Sequence, residues 1–327
     1  LSILIKEDKD MTKEEFVKMV TEGVEDRLPE CRVEVRDIPK NNGMMLTGLI
    51  IRNDKTNLAP TIYLEYYYER YKNGVDLSSI CDAVIDKYRE FSVDRNFDVN
   101  LFTNWEFVKE KICYKLINFK QNRQLLAEIP HLLYLDLAVV FYCPVEFPGD
   151  IEGFSTILIT NSHLKNWGKK MEDLFEVASE NTPRLMELKT RSLVNVVREQ
   201  VLEAYLDISD EELEAICEAN KDMTILSNKE GVFGASVILY KDALKNVAEK
   251  LNSSLVIIPS SVHEVLIMPL RPELDSEYMN GLIGMVNDTQ LETDEVLSNH
   301  FYYYDKDDDY VFYDLTQEEL RSKSYIA

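Results

Sequence analysis

The sequence predicts an α+β fold, on three observations. Residues 12–88 read as a helix, a β-hairpin and a further helix. Beyond residue 101, short strands follow one another closely enough to pair as hairpins, giving a mostly antiparallel sheet with helices on one face. Residues 223–286 run in the order β-β-α-β-β-α.

The first helix begins at a capping box, in which the Thr12 hydroxyl and the Glu15 carboxylate satisfy orphan amides. Phe16, Val20, Val24 and Leu28 then form one apolar stripe, and Pro29 ends it. Cys31, Val33 and Val35 alternate with Arg32, Glu34 and Arg36, the period of a strand buried on one face. Asn41-Asn42-Gly43 supplies turn residues, and Met44 to Arg52 returns as the second strand. Thr61 to Tyr71 reads as a third strand running into a helix. Its tyrosines form either a stacking platform or, with Glu65 and Glu69 interleaved and no basic cluster, an amphipathic packing face. Asp76 caps a helix carrying Leu77, Ile80, Cys81, Val84 and Tyr88.

Residues 115–147 hold the most apolar run of the chain. They read as a strand, a short helix, a turn bounded by Pro130 and a longer strand from Leu135 to Cys143, with Asp136 set inside it. Pro148-Gly149-Asp150 turns the chain, and Phe154 to Thr160 pairs back as a hairpin. Asn161 caps the next helix, Gly168 resets it, Pro183 breaks it, and a helix from about Ser192 to Tyr205 follows. Ser209 and Glu212 form a second capping box.

The C-terminal part then gives strands at Met223–Ser227 and Gly234–Tyr240, a helix at Lys241–Leu251, strands at Leu255–Pro259 and Glu264–Met268, and a helix at Asp275–Val286. Phe301–Tyr304 and Tyr310–Tyr313 close as a hairpin, with a polar tail from Thr316. Ile157-Leu158-Ile159 with Leu164-Lys165-Asn166 recurs as Val237-Ile238-Leu239 with Leu244-Lys245-Asn246, a short hint of duplication.

At 327 residues the chain is long enough for two domains, placed at 11–92 and 101–327, with a linker at Ser92–Asn100 and a sub-boundary near 190–222. Residues 1–10, ahead of Met11-Thr12-Lys13, read as a non-native or flexible leader. The 45% apolar and 29% charged residues are those of an ordinary globular protein. Against 36 Lys and Arg stand 59 Asp and Glu, a net charge of −23. Such a surface does not track phosphates, because that affinity comes from cationic side chains releasing counterions. Five dispersed cysteines with no Cys-x-x-Cys read as reduced core residues. No apolar run of membrane-spanning length and no signal-peptide pattern occurs in the sequence, which implies a cytoplasmic protein.

Asp136 leads the candidate catalytic residues. A carboxylate in apolar surroundings needs partners, and Arg123 or His131 returns toward it if the intervening turn is tight. Asp136 orienting His131 as a base is the enzymatic reading. A carboxylate that fixes the turn is the structural one. Ser260, Ser261, His263 and Glu264 place hydroxyl, imidazole and carboxylate together, but adjacency in one turn does not build a triad. Asp305, Asp307 and Asp309 match half of a calcium loop, with Tyr310 where glycine is needed and Thr316 where the bidentate Glu belongs. With four scattered histidines and neither Gly-x-Gly-x-x-Gly nor a P-loop, no cofactor is expected.

The phrases Lys115-Leu-Ile-Asn-Phe with Asn122, Leu135-Asp-Leu-Ala-Val-Val-Phe, and Ile258-Pro-Ser-Ser-Val-His-Glu-Val occur together. In these the chain resembles, from Met11 onward, an uncharacterised family of gut clostridia catalogued as a domain of unknown function. Ile159-Thr-Asn-Ser-His-Leu-Lys-Asn-Trp-Gly and Leu174-Phe-Glu-Val-Ala-Ser-Glu-Asn also resemble a shorter uncharacterised family of Gram-positive bacteria. The resemblance implies a bacterial cytoplasmic protein and carries over no catalytic residue. The expected function is a non-enzymatic interaction or regulatory role with an unknown protein partner, without direct nucleic-acid or membrane binding. The alternatives are an enzyme built on Asp136, Arg123 and His131, and an acidic decoy that mimics DNA.

Overall fold

The computed structural model describes residues 11–54, 59–91, 102–145, 155–203, 208–259, 261–271 and 274–313. The leader, the linker at Ser92–Asn100, the Pro148-Gly149-Asp150 turn, Ser260 and the tail from Thr316 lie outside them. The described residues fall into two units, the first within Leu1–Lys40, Met44–Leu101 and Glu146–Ser155, the second within Asn41–Gly43, Phe102–Val145 and Thr156–Ala327. The molecule is α+β, with antiparallel sheets. Among the described residues no helix is long and apolar enough to cross a membrane.

In the first unit, α1 (Lys13–Arg27), β1 (Arg32–Pro39), β2 (Met45–Arg52), β3 (Thr61–Tyr63), α2 (Glu65–Lys72) and α3 (Leu77–Phe91) follow in order. The Thr12/Glu15 capping box is formed, and Phe16, Val20 and Val24 are buried against Leu49 and Ile51 of β2 and Ile80 and Val84 of α3. β1 and β2 pair from Arg32↔Arg52 to Pro39↔Met45, and β3 adds to β2. The tyrosines of α2 serve packing: Tyr67 is buried, and Tyr68 and Tyr71 lie against the Phe16 ring at 5.2 and 5.5 Å. Glu65 ties three elements, accepting from Lys13 Nζ at 2.8 Å and from the Thr47 amide at 2.7 Å.

The second unit holds two sheets. The first has β4 (Cys113–Asn118), β5 (His131–Tyr134), β6 (Leu137–Val145) and β7 (Ser155–Leu158), with β6 between β4 and β5 and paired also to β7. The second runs β13-β12-β10-β11-β9-β8, from β8 (Leu188–Ser192), β9 (Thr224–Asn228), β10 (Leu255–Ile258), β11 (Val265–Pro269), β12 (Tyr302–Asp305) and β13 (Tyr310–Phe312). Its helices are α4 (Trp105–Val108), α5 (Arg123–Leu126), α6 (Asn161–Trp167), α7 (Met171–Leu185), α8 (Leu193–Glu203), α9 (Asp210–Ala219), α10 (Ala243–Leu251) and α11 (Ser276–Gln290). One core joins the sheets: Tyr114, Leu116, Leu137 and Val139 of the first pack in the same cluster as Leu255, Ile257, Val265 and Ile267 of the second. Each fully buried side chain of this size contributes roughly 2–3 kcal/mol relative to exposure.

Several expectations are corrected. The order β-β-α-β-β-α loses its second strand, because Gly234–Leu239 is a 3-10 helix. Phe233 enters it at φ 54°, and Gly234–Ile238 is buried throughout, so the apolar run carries no period that separates a tight helix from a strand. The suggested duplication fails with it, since β7 is a strand and its counterpart is not. Helices cover both faces of the second sheet rather than one. Leu255 and Ile257 point to the main core with Leu244 of α10, while Val256 and Tyr303 point to Ile283 of α11 on the other side. The exposed strand Leu188–Ser192, rich in charge, carries no apolar alternation to announce it. Thr160 caps α6 in place of Asn161. Pro183 sits inside the last turn of α7 rather than ending the helix before it, and Thr182 Oγ1 bonds back to the Ala178 carbonyl.

At Gly234 an added Cβ would come within 3.0 Å of Ser227 Oγ, the His263 carbonyl and the Asn228 amide. Gly234→Ala should therefore destabilise the second unit by about 3 kcal/mol, read as a lowered urea midpoint at unchanged slope. In the first unit, burial opposes ionisation of Glu65, but Lys13 and the amides of Thr47 and Glu65 itself outweigh it and hold the carboxyl below its ordinary 4.5. Its contribution to stability is whole above 4.5, the unfolded value, and is lost as pH falls through the lower folded value. Glu65→Gln should thus flatten the acid limb of unfolding below pH 4.5, followed by hydrogen exchange at the Thr47 amide.

Candidate functional site

Asp136 lies in the two-residue turn Leu135-Asp136 between β5 and β6, not inside a strand. Tyr134 pairs with Leu137 across the turn, and Leu135 adopts φ 56°, a conformation that glycine usually supplies at the first position of a two-residue hairpin loop. A leucine there costs about 1–2 kcal/mol. Its side chain packs against the main core. The Asp136 carboxylate holds the turn to the second sheet. Tyr302 Oη of β12 donates to Oδ1 at 2.7 Å, and Ser298 Oγ donates to Oδ2 at 2.6 Å. Ser298 Oγ also accepts from the His300 amide, and its carbonyl accepts from Asn287 Nδ2 of α11. Asn118 Nδ2 bonds the Leu297 carbonyl at 3.0 Å, and the Phe119 amide bonds the Asp136 carbonyl at 3.1 Å. Burial, and then the facing carboxylate, raise the Tyr302 hydroxyl well above its ordinary value, so it remains a donor.

The structure gives Asp136 other partners than Arg123 and His131. His131 opens β5 at the end away from the turn, three extended residues before Tyr134 and so roughly 10 Å from the base of the turn at about 3.3 Å per residue. Its Nδ1 lies 3.1 Å from the Ile129 carbonyl. Arg123 begins α5, and among the described residues no hydrogen bond or ion pair joins it to Asp136. Ser298 and Tyr302 lie more than 160 positions downstream, and no spacing in the sequence singles them out.

Of the remaining candidates, Asp305, Asp309 and Ser261 are committed to the chain. Asp305 Oδ1 accepts from the Asp307 and Asp308 amides, and Asp309 Oδ1 accepts from Tyr304 Oη at 2.6 Å, so these carboxylates shape the turn between β12 and β13. No group of three or more His, Cys, Asp or Glu among the described residues is placed to hold a metal ion. Ser261 Oγ accepts from the His263 amide and does not bond its ring. That ring stacks on Phe233 and lies 3.8 Å from Glu295. The five cysteines are unbridged, and burial pushes the Cys113 and Cys143 thiols up to about 12 and about 11, which leaves little thiolate at neutral pH.

What the second unit does offer is an open cleft of about 450 Å³. Its walls are Leu133, Tyr134 and Leu135 of the β5 turn, Asp309–Val311 at the start of β13, Tyr304 of β12, the 3-10 segment from Ile238, and Asp242 and Lys245 at the start of α10. β5 and β13 are each the edge strand of their sheet. At the rim Leu133 and Tyr310 are 66% and 63% exposed, high for large apolar side chains at the mouth of a pocket. Tyr134 and Tyr304 also line it, and both hydroxyls are raised by burial, the second also by Asp309.

Residues 13–306 match the model of a family described as a family of unknown function (DUF5688). The chain belongs to that family. Neither the curated proteins nor the solved structures hold a match to this DUF5688 member.

If Asp136 is the tie between the sheets, Asp136→Ala should cost about 3 kcal/mol of unfolding free energy and Tyr302→Phe about 1.5–3 kcal/mol. The double variant should fall well short of their sum in urea denaturation, since both remove one interaction.

Proposed function

We propose that this DUF5688 protein is a non-catalytic, bacterial cytoplasmic interaction protein that binds an extended basic segment of a partner protein in the cleft of its second unit. The observation that carries this reading is the meeting of two edge strands, β5 and β13, at one cleft whose rim exposes Leu133 and Tyr310. An edge strand leaves backbone amides and carbonyls unpaired, and an extended segment satisfies them as an added strand while apolar anchors fill pockets beside it. Charge supports a basic occupant. Asp242 and Asp309 line the cleft against Lys245, and Asp305, Asp307 and Asp308 stand in the adjoining turn against Lys306. The net charge of −23 adds long-range attraction for the same partner and repels acidic ones. Buried unbridged cysteines and the resemblance to clostridial proteins support the bacterial cytoplasmic setting.

A fluorescein-labelled decapeptide of alternating lysine and valine, set against one of alternating glutamate and valine, tests this directly by fluorescence polarisation. The lysine peptide should bind and the glutamate peptide should not, with affinity falling as salt rises. Leu133→Arg and Tyr310→Lys sit at exposed positions, so they should leave the fold intact and weaken binding at least tenfold. Equal binding of the two peptides, or indifference to both substitutions, would exclude the cleft as the site.

A further inference from the structure

The two edge strands at the cleft are not equivalent. The turn Leu135-Asp136 closes on the Tyr134–Leu137 pair, which is therefore hydrogen-bonded, and along an antiparallel ladder bonded pairs alternate with non-bonded ones. Leu132 and Tyr134 thus spend their main chain on β6. His131 and Leu133 turn theirs to the open side of β5, where among the described residues no strand and no backbone bond meets it. Leu133 is also the residue whose side chain is 66% exposed. On β13 the exposed residue, Tyr310, closes the turn opposite Asp305, so its main chain faces β12. Bare main chain and bare apolar side chain coincide on β5.

β5 also lacks the devices that blunt a sheet edge. Its sequence, His131-Leu132-Leu133-Tyr134, has no lysine, carboxylate or proline, whereas the edge strands β1 and β8 carry Arg32, Glu34 and Arg36, and Lys189 and Arg191. The pleat then sorts the side chains of any strand added there. Leu132 and Tyr134 lie against the main core, on the cleft side with Tyr304, and Leu133 points to the other face. A residue set opposite Leu132 or Tyr134 points into the cleft that Asp242 and Asp309 line, and one set opposite Leu133 covers its side chain.

We infer that β5, and not β13, receives the partner as an antiparallel strand of alternating basic and apolar residues, the basic ones in the cleft and the apolar ones over Leu133. This rests on the reading of the cleft as the site of a basic extended segment. Among the described residues the strand pairs of both sheets are antiparallel, the more stable arrangement per residue, and the added strand follows them. Residues that exchange both bonds in such a pair stand directly opposite each other on one face, so the partner amides bonded to His131 and Leu133 belong to its apolar residues. Proline is excluded at those positions, because it has no amide to donate.

Fluorescence polarisation of the full chain with the lysine–valine decapeptide and two backbone-methylated forms tests this, together with hydrogen exchange along β5 and β13. N-methylation of the valines removes the bonded amides and should weaken binding by roughly tenfold or more, while N-methylation of the lysines should leave it within about threefold. The peptide should slow exchange of the His131 and Leu133 amides. An unmodified peptide that does not bind overturns the reading of the cleft and this inference with it. If it binds but the two methylated forms behave alike, if only the lysine-methylated form is lost, or if protection appears on Tyr310–Phe312 and not on β5, the β5 strand is excluded while the cleft stands.

Discussion

The Asp136 carboxylate, held between the hydroxyls of Tyr302 and Ser298, is the interaction on which the second unit depends. It joins the β5–β6 turn of one sheet to β12 of the other, and its geometry explains the choice of residues. A carboxylate facing two neutral donors accepts charge-assisted bonds without burying a cation beside it. The donors need no protonation change to stay donors, because burial keeps Tyr302 protonated. Leu135 can then occupy a backbone conformation that favours glycine, since its side chain is packed in the core and the next residue is bonded on both oxygens.

The same tie sets one wall of the cleft. Leu135 lines it and is adjacent to Asp136, while Tyr304, two residues beyond Tyr302 on the same face of β12, lines it from the second sheet. The polar contact thus joins the two walls inside the same apolar core that packs the sheets together. Polar residues that look reactive in the sequence are consumed in this kind of work: Asp305 and Asp309 in a turn, Ser261 on a backbone amide, His131 near a carbonyl. Exposed apolar side chains remain, and at the cleft they stand beside carboxylates.

Local elements were legible where a short-range rule operates. The Thr12/Glu15 and Ser209/Glu212 boxes, the Asn42-Gly43 turn, the α1 stripe and the C-terminal hairpin all depend on residues within a few positions of each other. The first strand was legible in position but not in burial, for Val35 is 39% exposed despite its alternating pattern. Gly234–Leu239 failed because a segment buried on all sides has no polar face to mark its period. Leu188–Ser192 failed for the opposite reason, as an edge strand with charged residues is paired through its backbone to β9 and announces nothing in its side chains. Asp136 was visible as a carboxylate needing partners, while their identity was not.

The sequence by itself determined the α+β class, the helix starts, most strand positions, the acidic surface and the presence of one problematic carboxylate, because propensity, capping and period are carried by neighbouring residues. Only the tertiary structure decided that helices cover both faces of the second sheet, that Ser298 and Tyr302 are the partners of Asp136, and that two edge strands meet at a cleft. Those outcomes rest on contacts between residues as much as 166 positions apart. Such contacts form when many weak local preferences are satisfied together in one packing, and no single stretch of the chain records which distant group will fill the space beside it.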